Sequence, residues 1–319
     1  MIGSLFQISK NTFREILREP IYLLLLLSSL VLIGISPVFT LFVFREQVKL
    51  VVDSAMATSL VFGWITAVLC ASHAIAREIN QGTALLLLSK PVKRPVFIIA
   101  KTIGILAALA VFWFVTGLAT LIAVRVAKDQ FALDYRIMGG FFGALALSFL
   151  VGGIRNFITR ASFPMSAVMS LCIIMSLASF IVFWIPLEGE HVGFSWEIVP
   201  ALILILYAVW AMGTLATALS TRLELVSNLL VCSAIFVIGL MSDYLLGQAA
   251  ENSILAAVLY ACIPNWQLLW MADALAADKL IPLEYVLFGG IYILCFVALF
   301  VALAVSMFWH REIGRQSVT

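Results

Sequence analysis

Residues 77–95 read REINQGTALLLLSKPVKRP and separate two long apolar runs. Gly82 can end the helix that enters this stretch at low steric cost. Thr83 can then cap a new helical turn with its side-chain oxygen. Pro91 ends that turn, because it lacks an N–H group and disfavours helical geometry at Lys90. The pattern predicts a short, leucine-bearing helix at the membrane surface, bordered by cations.

The composition is that of an integral membrane protein. The 319 residues are 64% hydrophobic and 11% charged, whereas soluble domains carry about 25% charged residues. A helical span needs about 20 mainly apolar residues, and eight runs are suitable. They are residues 21–44, 56–76, 96–124, 137–154, 163–186, 198–220, 226–246 and 285–308. We therefore predict an all-α, polytopic transmembrane helical bundle of about eight spans.

Basic residues are divided unequally between the two sides of these spans. With the N-terminal segment placed inside, 13 of the 19 Lys and Arg residues fall in inner segments and 6 in outer ones. The excess of basic residues marks the cytoplasmic side. This distribution predicts that both termini are cytoplasmic, which requires an even number of spans.

The segment before the first span is amphipathic. On a helix, one face of residues 2–19 carries Ile2, Leu5, Phe6, Phe13, Ile16 and Leu17, and the other carries Gln7, Lys10, Asn11, Arg14, Glu15 and Arg18. Such a helix suits the cytoplasmic interface of a membrane, and a plain membrane anchor is the alternative. We therefore expect an interfacial helix at 1–20, a transmembrane permease domain at 21–308 and a cytoplasmic tail at 309–319.

The longest predicted external segment is 247–284. Its apolar run, residues 254–263, is too short to cross a bilayer. The residues that mark it as interfacial or re-entrant are Tyr260, Pro264, Trp266 and Trp270. Asp273 and Asp278 follow on a second short helix. They are either a possible external gate or residues of a solvated outer face.

Three features inside the spans carry structural predictions. Lys101, at the start of the third span, can extend its ammonium group to the interface. His73 is a lone imidazole, which indicates a hydrogen-bonded structural residue rather than a metal ligand. Gly139 and Gly143 have the spacing that permits close packing of helices.

Several motifs are absent from the sequence. It contains no Gly-Lys dipeptide and therefore no Walker A loop to bind phosphates. It also lacks His-Glu-x-x-His and Gly-x-Ser-x-Gly, and its five cysteines are too widely spaced for a metal cluster. No charged residue lies in the middle of a span, whereas ion-coupled carriers need one. We predict that the chain is not an enzyme and binds no cofactor or metal directly.

The sequence around the opening stretch resembles the type-2 ABC exporter permeases. The shared pattern is Glu78-x-x-Gln81-Gly82-Thr83-x-x-x-Leu87-Leu88-Ser89-Lys90-Pro91-Val92-x-Arg94-x-x-Phe97-x-x-x-Lys101. In that family this loop holds the coupling helix, which docks in a groove of a separate ATP-binding subunit. The resemblance implies docking through residues 77–94. The residues that it assigns to the docking site are Arg77, Glu78, Gln81, Gly82, Thr83, Leu87, Leu88, Ser89, Lys90, Pro91 and Arg94.

The resemblance also implies the partners of the chain. Two permease copies, as a homodimer or heterodimer, would pack side by side in the lipid of a bacterial-type cytoplasmic membrane. Each would lie above an ATP-binding subunit that holds ATP and Mg²⁺, and no nucleic acid is involved. Residues 263–273 are similar to permeases linked to the maturation of multicopper enzymes such as nitrous oxide reductase. One departure is the count of eight spans, since the usual permease of the family has six.

Two alternatives remain open at the level of the sequence. Residues 77–95 can be read as a basic loop held against anionic lipid head groups. The whole chain can be a non-transporting assembly or anchoring subunit of a larger complex. Its substrate, if it transports one, can be a lipid, a peptide, a sulfur or metal-related species, or a drug.

Overall fold

The computed structural model describes residues 2–39, 47–80, 93–127, 133–185, 195–247, 253–277 and 279–309. Within these residues the regular structure is helical, which confirms the predicted all-α fold. The helices are α1 (Ile2–Arg18), α2 (Pro20–Phe39), α3 (Gln47–Ala71), α4 (Arg77–Asn80), α5 (Arg94–Val126), α6 (Tyr135–Thr159), α7 (Phe163–Trp184), α8 (Val199–Ser220), α9 (Leu225–Leu240), α10 (Ile254–Cys262), α11 (Ala272–Ala276) and α12 (Leu283–Trp309).

Seven described helices are long and apolar enough to cross a membrane, namely α2, α3, α5, α6, α7, α8 and α12. The eighth predicted span, 226–246, corresponds to the shorter helix α9, which has 16 residues. It is followed by a π-helical turn at Asp243–Gly247. Residues 40–44 of the first predicted span and residue 186 of the fifth lie outside the described residues.

Helix α3 begins nine residues before the predicted start of the second span, at Gln47 instead of residue 56. The prediction placed this segment outside the membrane because it contains Lys49 and Asp53. However, Val51 and Val52 are buried in the core, so tertiary packing extends the helix beyond its most apolar part.

Helices α3, α5 and α8 form the centre of the bundle and are the most deeply buried of the long helices, whereas α6 and α12 are the most exposed. Two indoles connect α5 to α8: Trp113 Nε1 donates to the Leu202 carbonyl at 2.6 Å, and Trp210 Nε1 donates to the Leu106 carbonyl at 3.1 Å. A Cβ atom at Gly213 would lie 2.7 Å from Leu109 Cδ1. The absence of a side chain therefore lets α8 approach α5 closely.

The two ends of the bundle differ in charge. We call one of them the basic end; it carries α1, α4, the start of α5 and the end of α12. Ten of the described Lys and Arg residues lie there, namely Lys10, Arg14, Arg18, Arg77, Lys93, Arg94, Lys101, Arg155, Arg160 and Arg222. Those at the opposite end are Lys49, Arg125, Arg136 and Lys279.

Helix α1 packs against protein along one face. Ile16 and Leu17 of its apolar face are buried, but so are the small polar residues Ser9 and Thr12, while Phe6 is 65% exposed. Ser9 Oγ donates a hydrogen bond to the Ala100 carbonyl of α5 at 2.9 Å. The segment is thus the predicted amphipathic helix, and part of the face that it presents to the bundle is polar.

The segment between α9 and α12 folds back against the bundle. Trp266, which the sequence places at the membrane boundary or in a re-entrant segment, is only 2% exposed and lies in the core. A Cβ atom at Gly239 of α9 would lie 2.4 Å from Trp266 Nε1, so the indole occupies the space that this glycine leaves. Helix α10 has nine residues and spans about 13 Å, too little to cross a bilayer.

Gly139 and Gly143 do not mediate packing within the described residues, since nothing lies within 4 Å of a Cβ atom at either position. The close approach of α6 to α7 occurs at Gly152 instead, where a Cβ atom would lie 2.9 Å from the Ala167 Cα atom. The two earlier glycines lie on the exposed face of α6.

The packing of α1 on α5 predicts a difference between two glycine-to-alanine substitutions in α5. In Gly104→Ala the new methyl group would lie 2.7 Å from the Ser9 carbonyl oxygen and 2.8 Å from Thr12 Cβ. Such overpacking typically costs about 1–3 kcal/mol, so we expect a lower midpoint of thermal unfolding in detergent.

Gly117→Ala is the matched control, because its nearest neighbour would be 3.8 Å away and alanine has the higher helix propensity. We expect its midpoint to equal or exceed that of the wild type. If Gly104→Ala behaved in the same way, α1 would not be packed against α5 in solution.

Candidate functional site

Helix α3 continues through a π-helical turn at Ser72–Ala76 into α4. Helix α4 consists of the first four residues of the 77–95 stretch that carries the family resemblance. Isolated π turns within α-helices are frequent at functional sites. Residues 81–92, with most of the predicted coupling helix, lie outside the described residues. The structure therefore shows how the two flanks of this segment, α4 and the start of α5, are attached to the bundle.

A buried ion pair joins the two flanks. Lys101 Nζ lies 2.6 Å from Glu78 Oε1, and the Lys101 side chain is 2% exposed. The prediction that Lys101 extends to the interface is therefore wrong, because its ammonium is enclosed by protein and paired with an acid. A charge-assisted hydrogen bond of this length is among the stronger polar contacts in proteins.

The same ammonium connects α1 to the two flanks. Glu15 Oε2 lies 3.8 Å from Lys101 Nζ, and its side chain is half-exposed. The ammonium also lies 5.8 Å from the centroid of the Phe97 ring, a cation–π distance. Phe97 in turn stacks on Phe308 of α12 at 5.7 Å. Lys101 is therefore the point where α1, α4 and α5 meet.

A second acid lies beside this pair, in the short link between α1 and α2. Glu19 Oε1 accepts a hydrogen bond from Arg77 Nη1 at 3.3 Å, and Glu19 Oε2 lies 3.7 Å from His73 Nδ1. His73 thus has an acid neighbour, at a distance longer than that of the predicted hydrogen bond. We call Glu15, Glu19, Arg77, Glu78 and Lys101 together the ion-pair cluster.

The π turn before α4 is held by a buried amide. Asn228 of α9 is fully buried, and its Nδ2 donates to Ser72 Oγ at 3.0 Å and to Ser220 Oγ at 2.8 Å. The same nitrogen lies 3.2 Å from the Ala216 carbonyl oxygen, and the Cys232 thiol donates to Asn228 Oδ1 at 3.4 Å. This side chain ties α9 both to α8 and to the π turn that precedes α4.

At the start of α5, Arg94 is directed toward the last helix. Its Nη1 donates to the Trp309 carbonyl at 2.8 Å. Trp309 is the last described residue of α12, so the bond connects the start of α5 to this part of α12.

Of the eleven residues predicted to form the docking site, the structure describes Arg77, Glu78 and Arg94. The others lie outside the described residues and are Gln81, Gly82, Thr83, Leu87, Leu88, Ser89, Lys90 and Pro91. Arg77 and Glu78 belong to the ion-pair cluster, while Arg94 lies apart from it and bonds to Trp309 of α12. Sequence reasoning did not assign Lys101 to the site, although it is part of the pattern that carried the resemblance. Nor did it identify Glu15, Glu19 or Asn228.

At the opposite end, Asp273 is exposed on α11 and Asp278 lies outside the described residues. One acid that is integrated into the structure there is Asp243, which sequence reasoning did not assign to a site. Its Oδ1 accepts hydrogen bonds from Tyr260 Oη and, at 2.9 Å, from Asn265 Nδ2. The bond to Asp243 raises the pKa of the Tyr260 hydroxyl, so this phenol stays protonated and continues to donate.

The family comparison connects this arrangement to a known class of membrane protein. Residues 6–193, more than half of the chain, match the model of the ABC-2 family transporter protein. The chain belongs to this family. ABC-2 proteins are the membrane subunits of ABC transporters and work with an ATP-binding subunit, so the chain is a transporter permease and not itself the catalytic subunit. No curated protein matches the chain significantly.

The matched region contains most of α1, all of α4 and the start of α5, and hence the whole ion-pair cluster. It ends before α8, so α8 to α12 lie beyond it. The buried Asn228 that holds the π turn therefore comes from the part of the chain outside the match.

The buried ion pair predicts that Lys101→Met destabilises the permease strongly. Removing one partner of a buried pair typically costs about 3–5 kcal/mol, because the remaining charge loses its compensation. In this case the Glu78 carboxylate would lose its counter-ion and face a methionine. We expect the unfolding midpoint in detergent to fall clearly, whereas Lys93→Met, which removes an exposed cation eight residues earlier, should leave it almost unchanged.

The double variant Lys101→Met, Glu78→Leu measures how much the two side chains stabilise each other. If the two groups interact as the structure shows, the double variant should be more stable than Lys101→Met alone. Strictly additive losses would mean that the two side chains do not stabilise each other.

Proposed function

We propose that the chain is an export permease and that its ATP-binding subunit docks on residues 77–94. In this proposal the docking contacts are made by Arg77, Glu78 and residues 81–91, and ATP and Mg²⁺ are bound by the docked subunit. Closure of the ATP-binding subunits around ATP pushes on the docking segment and shifts the helices attached to it.

The observation that carries the proposal is the ion-pair cluster at the two flanks of residues 81–92. Glu78 precedes these residues in the sequence and Lys101 follows them, and the two are held at 2.6 Å. A displacement of the segment therefore reaches α3 and α5 together. Glu15 connects α1 to Lys101, and Glu19, in the link between α1 and α2, pairs with Arg77 next to Glu78.

The local structure of α3 suits the transmission of such a movement. A π turn contains one residue more than an α-helical turn and can change its hydrogen bonds without breaking the helix. The turn at Ser72–Ala76 lies between the span and the docking segment. Its bond to Asn228 extends the effect to α9, which has no direct link to the ion-pair cluster through the described side chains.

We further propose that two permease copies pack together, each with one ATP-binding subunit. The exposed face of α6, with Gly139 and Gly143, supports this arrangement because small residues allow helices of two chains to approach closely. This face carries apolar residues but makes little contact with the rest of the described chain, as in Leu147 and Leu150, which are 50% and 59% exposed.

The proposed orientation places the basic end, and with it both termini, in the cytoplasm of a bacterial-type inner membrane. The excess of cations among the described residues of this end supports it. An ATP-binding subunit could then reach the docking segment from the side where ATP is available. Asp273 and the other acids of the opposite end would face outward, and α11 could serve as part of an external gate.

Docking is tested by purifying the tagged permease after coexpression with the ATP-binding subunit of its transporter. We expect Gly82→Trp and Leu87→Asp to reduce the recovered ATP-binding subunit at least tenfold, because one adds bulk and the other a charge to the docking helix. Asp273→Asn, at the opposite end, is the control and should give the wild-type yield.

If Gly82→Trp and Leu87→Asp retained the ATP-binding subunit at wild-type yield, docking on 77–94 would be wrong. If the wild type recovered no ATP-binding subunit in the presence or absence of ATP, the alternative of an anchoring subunit would gain support.

Orientation is tested with single cysteines at two exposed positions, Arg14→Cys and Asp273→Cys. The exposed native thiols of Cys262 and Cys295 are first replaced by serine. A membrane-impermeant maleimide added to intact cells should label position 273 and reach position 14 only after lysis. The reverse pattern would place the basic end outside and overturn the proposed topology.

A further inference from the structure

An apolar groove runs along the outside of the bundle at its basic end. Its volume is about 650 Å³, within the range of about 300–1,000 Å³ that is typical of ligand pockets. Pro95 and Ile99 of α5 form one wall. The other wall is made by small residues of α12, including Ala298, Ala302 and Val305. Because these side chains are short, α12 leaves a channel between the two helices.

The length of the groove corresponds to one leaflet of a membrane. Its lining on α12 extends from Ala298 to Trp309, eleven residues along the helix. At a rise of 1.5 Å per residue this is about 16 Å. Half of a hydrocarbon core about 30 Å thick is about 15 Å. The groove therefore extends from the end of α12 to about the middle of the bilayer, as one acyl chain does.

Cations lie at the end of the groove that reaches the membrane surface. Lys93 is exposed directly before α5, and Arg94 is adjacent to Pro95 in the wall of the groove. The bond of Arg94 Nη1 to the Trp309 carbonyl, 2.8 Å long, places the guanidinium where the groove ends. It engages one of the five N–H groups of that side chain. Trp309 itself is 57% exposed, and tryptophan favours the head-group region.

We propose that this groove is a binding site for an anionic phospholipid. One acyl chain lies along Ile99, Ala298 and Ala302, and the phosphate of the head group lies against Lys93 and Arg94. The arrangement of charge and apolar surface matches the two parts of such a lipid at the correct depth. Arginine and lysine are the residues that commonly bind phosphate groups.

The charges also favour a lipid over a second copy of the chain as the occupant. In a two-fold dimer about an axis along the membrane normal, each residue lies at the same depth as its counterpart. Packing this groove against itself would bring two Lys93 and Arg94 pairs together at the membrane surface, where like charges repel. An anionic head group would neutralise them instead.

The proposal is tested on the purified permease without any ATP-binding subunit, so that its outcome does not depend on docking. Phosphatidylglycerol and phosphatidylcholine with the same acyl chains are titrated into the protein in non-ionic detergent, and bound lipid is measured by native mass spectrometry. We expect tighter binding of phosphatidylglycerol. Lys93→Gln and Arg94→Gln should each reduce that preference about fivefold, since a basic residue near an anionic surface contributes about 1 kcal/mol.

Two further variants test the position of the acyl chain. Ala302→Trp should fill the groove and remove the tightest phosphatidylglycerol site. Leu303→Trp, at the next residue of the same exposed helix but outside the groove, should not. The matched control for charge is Arg155→Gln with Arg160→Gln, which removes two other cations of the basic end and should leave the preference intact.

Four outcomes would overturn the proposal. The first is equal affinity of the wild type for the two lipids. The second is an unchanged preference for phosphatidylglycerol in the double variant Lys93→Gln, Arg94→Gln. Because this variant changes the protein surface, it decides the question even if Ala302→Trp fails to fold. The third is competition by glycerophosphate at the concentration at which the lipid binds, which would indicate a site for a free anion. The fourth is a loss of dimer in Ala302→Trp with unchanged lipid binding, which would make the groove an interface between copies.

Discussion

A buried ammonium group has to be neutralised, and the basic end of this permease is organised around that requirement. The transfer of an ion from water into a protein interior costs several kcal/mol unless a counter-ion and good geometry compensate for it. Lys101 is 2% exposed, so Glu78 must remain close to it. Because Glu78 and Lys101 lie on either side of residues 81–92 in the sequence, the electrostatic requirement holds the two flanks of that segment together.

The same requirement gives α1 a role beyond that of a membrane anchor. An amphipathic helix that only lies on lipid moves independently of the spans. Here Glu15 is near Lys101, and Ser9 donates to the backbone of α5. The contact is close because Gly104 has no side chain, and the small Ser9 and Thr12 face it. The exposed Phe6 can still contact lipid while the opposite face is fixed to protein. Helix α1 is therefore fixed to α5 by a hydrogen bond, an ion pair and close packing.

The sequence predicted the parts of this structure that depend on hydropathy and failed where tertiary contacts decide. Seven of the eight apolar runs became long helices, because the exclusion of charge over about 20 residues is a property of each segment alone. The early start of α3 was missed, since Lys49 and Asp53 conceal the burial of Val51.

The burial of Lys101 was missed for a similar reason. A lysine near the end of a span has the same pattern whether it reaches solvent or meets an acid, and Glu78 is 23 residues away. Trp266 resembles a boundary residue in sequence, and only Gly239, on another helix, makes room for it in the core.

The distribution of directional bonds through the core indicates which helices are joined to one another. Many hydroxyl groups in the spans bond to carbonyls of their own helix, as Ser29, Thr120 and Thr217 do, and so do not link it to its neighbours. The bonds that do cross between long helices converge on α5. Two indoles join it to α8, and the Tyr22 hydroxyl joins it to α2 at 2.8 Å. Since α5 also carries Lys101, these bonds tie α2 and α8 to the helix on which the ion-pair cluster is built. Helix α6 packs on α7 through small residues, at Gly152 and Ala167. Helix α7 is in turn joined to α5, because Arg125 Nη2 donates to the Ile185 carbonyl at its C-terminal end at 3.0 Å.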